Sequence, residues 1–383
     1  MKKVIFLLLI TSILFACSPQ TNDEQAQVKV SLQSTLDALR EEHHIPGAVL
    51  LVKTPEFEDV FVSGMTAFED GNPITPDTMF GIGSITKTIV SALVLKLEAE
   101  RKLSIHDPIG KYFPQYPRWG KITIEQLLNM TSGIFNYMND KTYQDDLNAH
   151  FKQNWNTEQM IGLAYKHTDD FKPGSSWNYT NTAYLLLGEI IAQVSKQSVS
   201  DTLNKTFFKP YEMQHAYFGV NGYPSAVFNK MAKGYYNGVK MNSTLLTNLG
   251  SANGGMVMSA NDLYTWLDHL FIKKDMLPEN QLNEMLQPGP HSLGKLRPAT
   301  AQFGLGLGIY QDSEFGEMLS FAGVTPVGTA MYVWLPEKNT LIIAMLGLDR
   351  HGDEDYDMLF IDKPFIRNVL IHSLPLQSHA YHQ

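Results

Sequence analysis

Phe80-Gly81-Ile82-Gly83-Ser84-Ile85-Thr86-Lys87 is the stretch on which the reading of this chain turns. It opens a run to about Lys102 in which Ile85, Ile89, Leu93 and Leu97 recur at helical spacing, so the spacing predicts a long, largely buried helix that starts at Ser84. A serine hydroxyl is a weak nucleophile at neutral pH and needs a base within hydrogen-bond reach, together with donors for the developing oxyanion. Three residues apart on a helix, Ser84 and Lys87 share a face. Apolar neighbours such as Ile82 and Ile85 would desolvate the lysine and lower its proton affinity, which fits it for the role of base. The helix start also turns the Ser84 N–H and the positive end of the dipole toward an anion.

The pattern Ser-x-x-Lys is weak alone. Ser292-Leu293-Gly294-Lys295 matches it too, in a loop rich in Pro and Gly. The bland alternative for Ser84 is a helix cap, with Lys87 solvated in the first turn. A second segment adds context: Phe171-Lys172-Pro173-Gly174-Ser175-Ser176-Trp177-Asn178-Tyr179-Thr180-Asn181 sets Tyr-x-Asn after a Pro-Gly turn and before an apolar helix, Asn181 to Ser195. A tyrosine oxygen can pass a proton and an asparagine amide can hold a substrate carbonyl. Tyr137-Met138-Asn139 and Tyr235-Tyr236-Asn237 also match Tyr-x-Asn, but lack those flanks.

Outward from this centre, the chain reads as one catalytic unit with strands at both ends. Ala48 to Val52 and Asp59 to Val62 precede the serine helix, and Glu317 to Phe321, Thr329 to Leu335 and Thr340 to Leu346 lie near the C-terminus, with a turn at Pro336-Glu337-Lys338-Asn339. Between them the sequence is mainly helical: Thr123 to Met130, Thr157 to His167, Asn181 to Ser195, Asp201 to Phe207 and Ala260 to Ile272. Helices from Ser31 to His43 and from about Tyr356 to Ser373 flank the whole. The expectation is a two-lobed α/β (α+β) fold. One mixed, mostly antiparallel sheet is built from both chain ends, about 31–103 and 296–373, and a helical lobe spans about 104–295, with the site between them.

The chain has 383 residues, 44% hydrophobic, with a formal charge of −9 and only 18% charged residues. That suffices for a large core, and it leaves no basic stripe for a phosphate backbone, so nucleic acid is not an expected partner. Met1-Lys2-Lys3 and the apolar stretch behind it have the layout of a secretory signal, too short for an ordinary spanning helix. Leu14-Phe15-Ala16-Cys17 resembles the bacterial lipobox, and Cys17 is the sole cysteine. Residues 1–17 are therefore expected to be a lipoprotein signal, 18–30 a flexible polar tether, and 31–373 the hydrolase domain. The protein would be exported and held at the cell envelope through lipid on Cys17, at the outer membrane facing the periplasm in a Gram-negative host. No internal disulfide can form in such a mature chain.

The residues from Ser31 to Ser373 resemble the β-lactamase-related serine hydrolases: class C β-lactamases, D-alanyl-D-alanine carboxypeptidases and related esterases and peptidases. Four segments carry the resemblance in order. Phe80 to Lys87 is similar to the nucleophile segment, Ile122 to Gly133 to a helix-to-loop signature, Phe171 to Gly188 to the tyrosine segment, and Gly254-Gly255-Met256-Val257-Met258-Ser259-Ala260-Asn261-Asp262-Leu263 to a later helix entry. The resemblance implies Ser84 as acylated nucleophile, Lys87 as its base, Tyr179 as the proton relay and Asn181 as a ligand of the substrate carbonyl. It implies no cofactor and no metal, and a small-molecule or peptide-like substrate.

One family feature is missing. The third motif, Lys or His, a small residue, then Gly, should fall in Leu319-Ser320-Phe321-Ala322-Gly323-Val324, where the basic position is Phe321. The oxyanion donor implied by the resemblance, the backbone N–H of Val324 after Gly323, is kept. A cation that would bind a substrate carboxylate is not, unless a residue such as Lys295 or Arg297 replaces it. The implied activity is therefore an ester or amide hydrolase; a D-alanyl-D-alanine carboxypeptidase or β-lactamase, and a non-catalytic binding or sensor lipoprotein on the same fold, are the alternatives. Gly-x-Ser-x-Gly and His-Glu-x-x-His do not occur, and Asp353-Glu354-Asp355-Tyr356-Asp357 has no glycine at the sixth position of a calcium loop, so it reads as a solvated acidic loop.

Overall fold

A computed structural model describes residues 22–149, 154–219, 222–236, 238–240, 251–293, 301–325, 328–347, 349–350 and 364–374. The large sheet has seven strands: β1 (Gly47–Lys53), β2 (Glu58–Gly64), β3 (Gln302–Phe303), β4 (Gly308–Asp312), β5 (Gly316–Thr325), β6 (Gly328–Leu335) and β7 (Thr340–Leu346). Their spatial order is β2-β1-β7-β6-β5-β4-β3, so strands from both chain ends interleave, as expected. Every neighbouring pair is antiparallel, which corrects the expectation of a mixed sheet. The physical reason is local: β4 to β7 follow one another through short turns, and antiparallel pairing needs no crossover. The β6-to-β7 turn is the expected one, with Asn339 in the left-handed region at φ 46°.

β6 and β7 are buried along their whole length, because helices cover both faces of the sheet. On one side lie the helices Asn22–Glu42 and Pro364–Ser373, which touch each other. The first of these corrects the tether: residues 22–30 are helical. Val28 packs on the core, Gln25 donates to the Glu56 carbonyl and Lys29 pairs with Asp59 at 2.9 Å, so the apolar stripe of Leu32, Leu36 and Leu39 begins one turn earlier than expected. Cys17, the acidic segment 353–357 and the basic residues Lys295 and Arg297 lie outside the described residues.

The serine helix is Ile85–Ala99, ending short of the expected Lys102, and the tyrosine segment feeds the helix Asn181–Ser195, which has the expected bounds. Ala260–Ile272 is helical throughout but ends in a π turn from Asp268, and the expected Asp201–Phe207 helix is likewise an α turn followed by a π turn. A small three-stranded sheet escaped the sequence reading. Phe80–Gly81 and Ala216–Phe218 both pair with Met256–Met258, which ties the approach to Ser84 to the segment after Asn253.

Candidate active site

Ser84 stands at the N-cap of its helix, with φ −64° and ψ −12°, yet its side chain makes no capping bond. Its Oγ lies 2.6 Å from the Tyr179 hydroxyl and 3.0 Å from Lys87 Nζ. The bland reading of a capping serine is thereby displaced: the hydroxyl is spent on two ionisable groups.

Lys87 is 0% exposed. Its Nζ donates to Asn181 Oδ1 at 2.9 Å and to the Asn253 carbonyl at 2.5 Å, besides facing Ser84 Oγ. It also sits 4.8 Å from the Tyr179 ring centroid and 5.6 Å from that of Tyr184. No carboxylate pairs with it among the described residues, and burial holds its pKa well below the ordinary lysine range. A neutral amine suits these three contacts: two N–H bonds go to Asn181 and Asn253, and the lone pair faces the serine hydroxyl. Burial acts on Tyr179 in the opposite direction and pushes its phenol up, so this group stays protonated at neutral pH. Burial thus moves the two groups on either side of one serine oxygen in opposite directions, the amine toward its neutral form and the phenol toward its protonated one.

Tyr179 is positioned by the helix-to-loop signature. Met130 sits in the left-handed region, and its carbonyl accepts from the Asn178 N–H, while the Thr131 and Gly133 carbonyls accept from the N–H groups of Gly174 and Asp170. The expected signature therefore does its work largely through backbone, with Met130 Sδ also accepting from the Thr180 N–H at 3.4 Å. Its continuation adds Asn136, whose Oδ1 accepts from the Asn181 N–H at 3.3 Å.

The third-motif strand meets the serine turn at backbone contact. A Cβ on Gly323 would come within 1.9 Å of the Ile82 carbonyl and 2.5 Å of the Ser84 nitrogen. Gly83, at φ 49°, would carry a Cβ 2.6 Å from the Val324 nitrogen. Only glycines permit this approach, and it brings the Ser84 and Val324 backbones side by side. Ser84 N–H has no acceptor among the described residues. Phe321, two residues back on β5, is half-buried and meets Phe303 edge-on with centroids 5.5 Å apart.

Ser84, Lys87, Tyr179, Asn181, Gly323 and Val324 are thus gathered at one place. The competing Ser292 lies apart: it forms an isolated bridge with Gln302 on the sheet edge. Tyr235, of another competing pattern, accepts from the Phe68 N–H at 3.0 Å. Tyr137 is different, because it is fully buried, with its phenol pushed up to about 12 by that burial, and it accepts from Asn253 Nδ2 at 3.2 Å. It therefore stands behind the Asn253 carbonyl that holds Lys87. Asn253 escaped the sequence reading because the contact to Lys87 uses its backbone, which no residue pattern encodes; its place just before Gly254-Gly255 was the available signal. Among the described residues no group of three or more His, Cys, Asp or Glu is arranged to hold a metal ion.

An antiparallel sheet from both chain ends, a helical lobe, and a Ser-x-x-Lys helix facing a Tyr-x-Asn segment define the architecture of the penicillin-recognising and β-lactamase-like proteins. The chain belongs to the Beta-lactamase family, whose family model matches residues 32–361. Among curated relatives it is 33% identical over 215 residues to Protein flp of Staphylococcus aureus (strain MW2), covering 54% of this chain and 40% of that protein. It is 31% identical over 173 residues to the teichoic acid D-alanine hydrolase of Staphylococcus aureus, covering 45% of this chain and 40% of that protein. The chain thus spans about two fifths of the length of these relatives. The D-amino acid amidase of Ochrobactrum anthropi SV3, solved with L-phenylalanine amide, shares the fold at a TM-score of 0.75 and 21% identity, over 91% of this chain and 97% of that one.

Proposed function

We propose that this protein is a serine hydrolase that cleaves a small or peptide-like ester or amide through an acyl-enzyme on Ser84. The observation that carries this reading is Lys87: a lysine with no exposed surface and, among the described residues, no carboxylate partner, 3.0 Å from a serine hydroxyl that is free of capping duty. In the proposed reaction Ser84 Oγ attacks the carbonyl carbon as its proton passes to Lys87. The oxyanion forms between the Ser84 and Val324 N–H groups. Collapse breaks the bond to the leaving group, which receives a proton through Tyr179 and departs as an alcohol or amine. Water then attacks the Ser84 ester by the reverse relay, releasing the acid and restoring the hydroxyl. Asn181 holds both Lys87 and the substrate carbonyl side.

The substrate class rests on two supports. The relative named teichoic acid D-alanine hydrolase suggests acyl groups of the D-amino acid kind, and Phe321 in place of a cation argues against substrates that need a bound carboxylate, such as penicillins and D-Ala-D-Ala termini. A fluorescent fluorophosphonate should label the protein at Ser84 and fail on Lys87→Ala. Turnover of D-alanine esters and amides should exceed that of a chromogenic cephalosporin and a D-Ala-D-Ala peptide. No labelling under any pH would overturn the enzyme reading in favour of a binding protein, and fast cephalosporin turnover would overturn the substrate class.

We propose further that the chain is exported and anchored by lipid on Cys17, supported by Lys2-Lys3, the apolar run behind them and Leu14-Phe15-Ala16-Cys17. Incorporation of an alkynyl fatty acid that disappears in Cys17→Ser tests it.

A further inference from the structure

We infer that Phe321, Phe303 and Trp177 form an apolar subsite for the leaving group, selecting esters or amides whose departing alcohol or amine carries an uncharged aryl or branched alkyl substituent. The inference rests on the hydrolase reading above and assigns its specificity.

Three observations place the subsite. Residues two apart on a strand share a face, so Phe321 projects from β5 on the side of Gly323, and the Gly323 Cα–Cβ direction runs into the Ile82–Ser84 turn. Phe321 therefore stands on the serine side of the sheet. From the other lobe comes Trp177, two residues before the tyrosine whose hydroxyl lies 2.6 Å from Ser84 Oγ. Phe303 on β3 joins them, with its ring centroid 5.9 Å from that of Trp177 and 5.5 Å from that of Phe321. The result is a continuous aromatic wall that bridges the lobes.

The wall is not closed core. Phe303 is 2% exposed and forms its back, whereas Trp177 and Phe321 are only partly buried. The Trp177 Nε1 is itself covered by protein, so the indole presents no N–H donor to the cleft. Strand β5, Gly316-Glu317-Met318-Leu319-Ser320-Phe321-Ala322-Gly323-Val324-Thr325, carries no basic residue. A carboxylate placed here would lose hydration and meet no cation from this strand, while an apolar ring would gain aromatic contact. We assign the wall to the leaving group because Trp177 stands two residues before Tyr179, whose hydroxyl lies 2.6 Å from Ser84 Oγ and is the group proposed to protonate the departing atom.

The test compares the ethyl, benzyl and carboxymethyl esters of one acyl group, N-acetyl-D-alanine, on the full chain without its first 17 residues. Alcohols of similar basicity keep the chemistry nearly constant for the first two. We expect kcat/KM for the benzyl ester to exceed that for the ethyl ester by about tenfold, and the carboxymethyl ester to fall below both. In Phe321→Leu and in Phe303→Leu the benzyl-to-ethyl ratio should collapse toward one, and Phe321→Lys should raise the carboxymethyl-to-benzyl ratio by about tenfold or more. Equal turnover of benzyl and ethyl esters, a ratio unchanged in both leucine variants, or a preference that follows only the acyl side chain would overturn the subsite while leaving the hydrolase intact. Failure to turn over any ester, with no fluorophosphonate labelling of Ser84, would instead remove the reading on which it rests.

Discussion

Lys87 Nζ lies 3.0 Å from Ser84 Oγ in a place that admits no solvent to the lysine, and among the described residues every polar neighbour of that nitrogen is a neutral oxygen. A permanent cation there would be uncompensated, whereas a neutral amine is satisfied. Burial therefore favours the form of the lysine that, in the proposed reaction, takes a proton from serine. Lys87→Ala should therefore lower kcat/KM by about 10²–10⁴, the usual range for loss of a general base. Lys87→Arg should not rescue it, because a guanidinium stays charged. Steady-state kinetics on variants whose circular dichroism matches the parent checks this.

The same burial predicts the pH profile. Activity needs neutral Lys87, and its folded pKa is depressed, so kcat/KM should rise with pH along an acidic limb whose midpoint lies well below the ordinary lysine range. Stability has a related sign. Between the depressed folded pKa and the ordinary unfolded one, the unfolded chain binds the extra proton, so the native state gains stability as pH rises, by at most about 1.4 kcal/mol per pH unit from this group. Below the folded pKa the buried charge costs its full amount. Lys87→Met has no such group, and urea denaturation across several pH values should show the parent gaining on it as pH increases. A constant difference would refute the assignment.

Tyr179 offers a test that separates its two contacts. Phenylalanine keeps the ring 4.8 Å from Lys87 Nζ but removes the hydroxyl from Ser84 Oγ. If the hydroxyl passes a proton to the leaving group, Tyr179→Phe should cut turnover of alkyl esters and amides by about 10²–10⁴. p-Nitrophenyl esters, whose leaving group departs without a proton, should lose far less. Equal losses would mean that Tyr179 acts on the nucleophile alone.

The parts of this site that the sequence revealed are those carried by side chains at fixed spacing on a helix or next to one: Ser84 and Lys87, Tyr179 and Asn181. The helix Asn181–Ser195 was legible to the residue, because a Pro-Gly turn precedes it and an apolar run fills it. What stayed hidden is carried by backbone. The Asn253 carbonyl on Lys87 and the small sheet of Phe80–Gly81, Ala216–Phe218 and Met256–Met258 depend on segments far apart in the chain, and short strands leave no period to read. The polarity of the nine residues from Asn22 to Val30 fits a tether, but it describes the exposed face of an amphipathic helix equally well. The sheet was legible in its membership and not in its pairing sense, since apolar runs such as Thr340 to Leu346 are compatible with either.

Tyr137 and Asn253 extend the site by one layer. The Tyr137 hydroxyl accepts from Asn253 Nδ2 at 3.2 Å, and the Asn253 carbonyl accepts from Lys87 Nζ. Tyr137→Phe should cost about 1 kcal/mol of stability, as expected for a lost buried hydrogen bond, and should also shift the acidic limb of kcat/KM by freeing the loop that fixes Lys87. A stability loss with an unchanged pH profile would make the tyrosine structural only, so the profile is the deciding measurement.

Gly323 is the point where sheet and nucleophile touch. An alanine there would put its Cβ 1.9 Å from the Ile82 carbonyl and 2.5 Å from the Ser84 nitrogen, both backbone atoms, so no rotamer change can relieve it. Strand β5 must then retreat from the serine turn, and the Val324 N–H retreats with it. A displacement of about 1 Å in a positioned donor costs on the order of 10²-fold in rate. Gly323→Ala should therefore lower kcat/KM by about that factor with KM little changed. The Lys87 contacts lie on the other side of Ser84, so the pH midpoint of the acidic limb should stay where it is. A shift in that midpoint would show that the strand also controls the base, and would place the oxyanion side and the proton-transfer side of the site under one mechanical constraint.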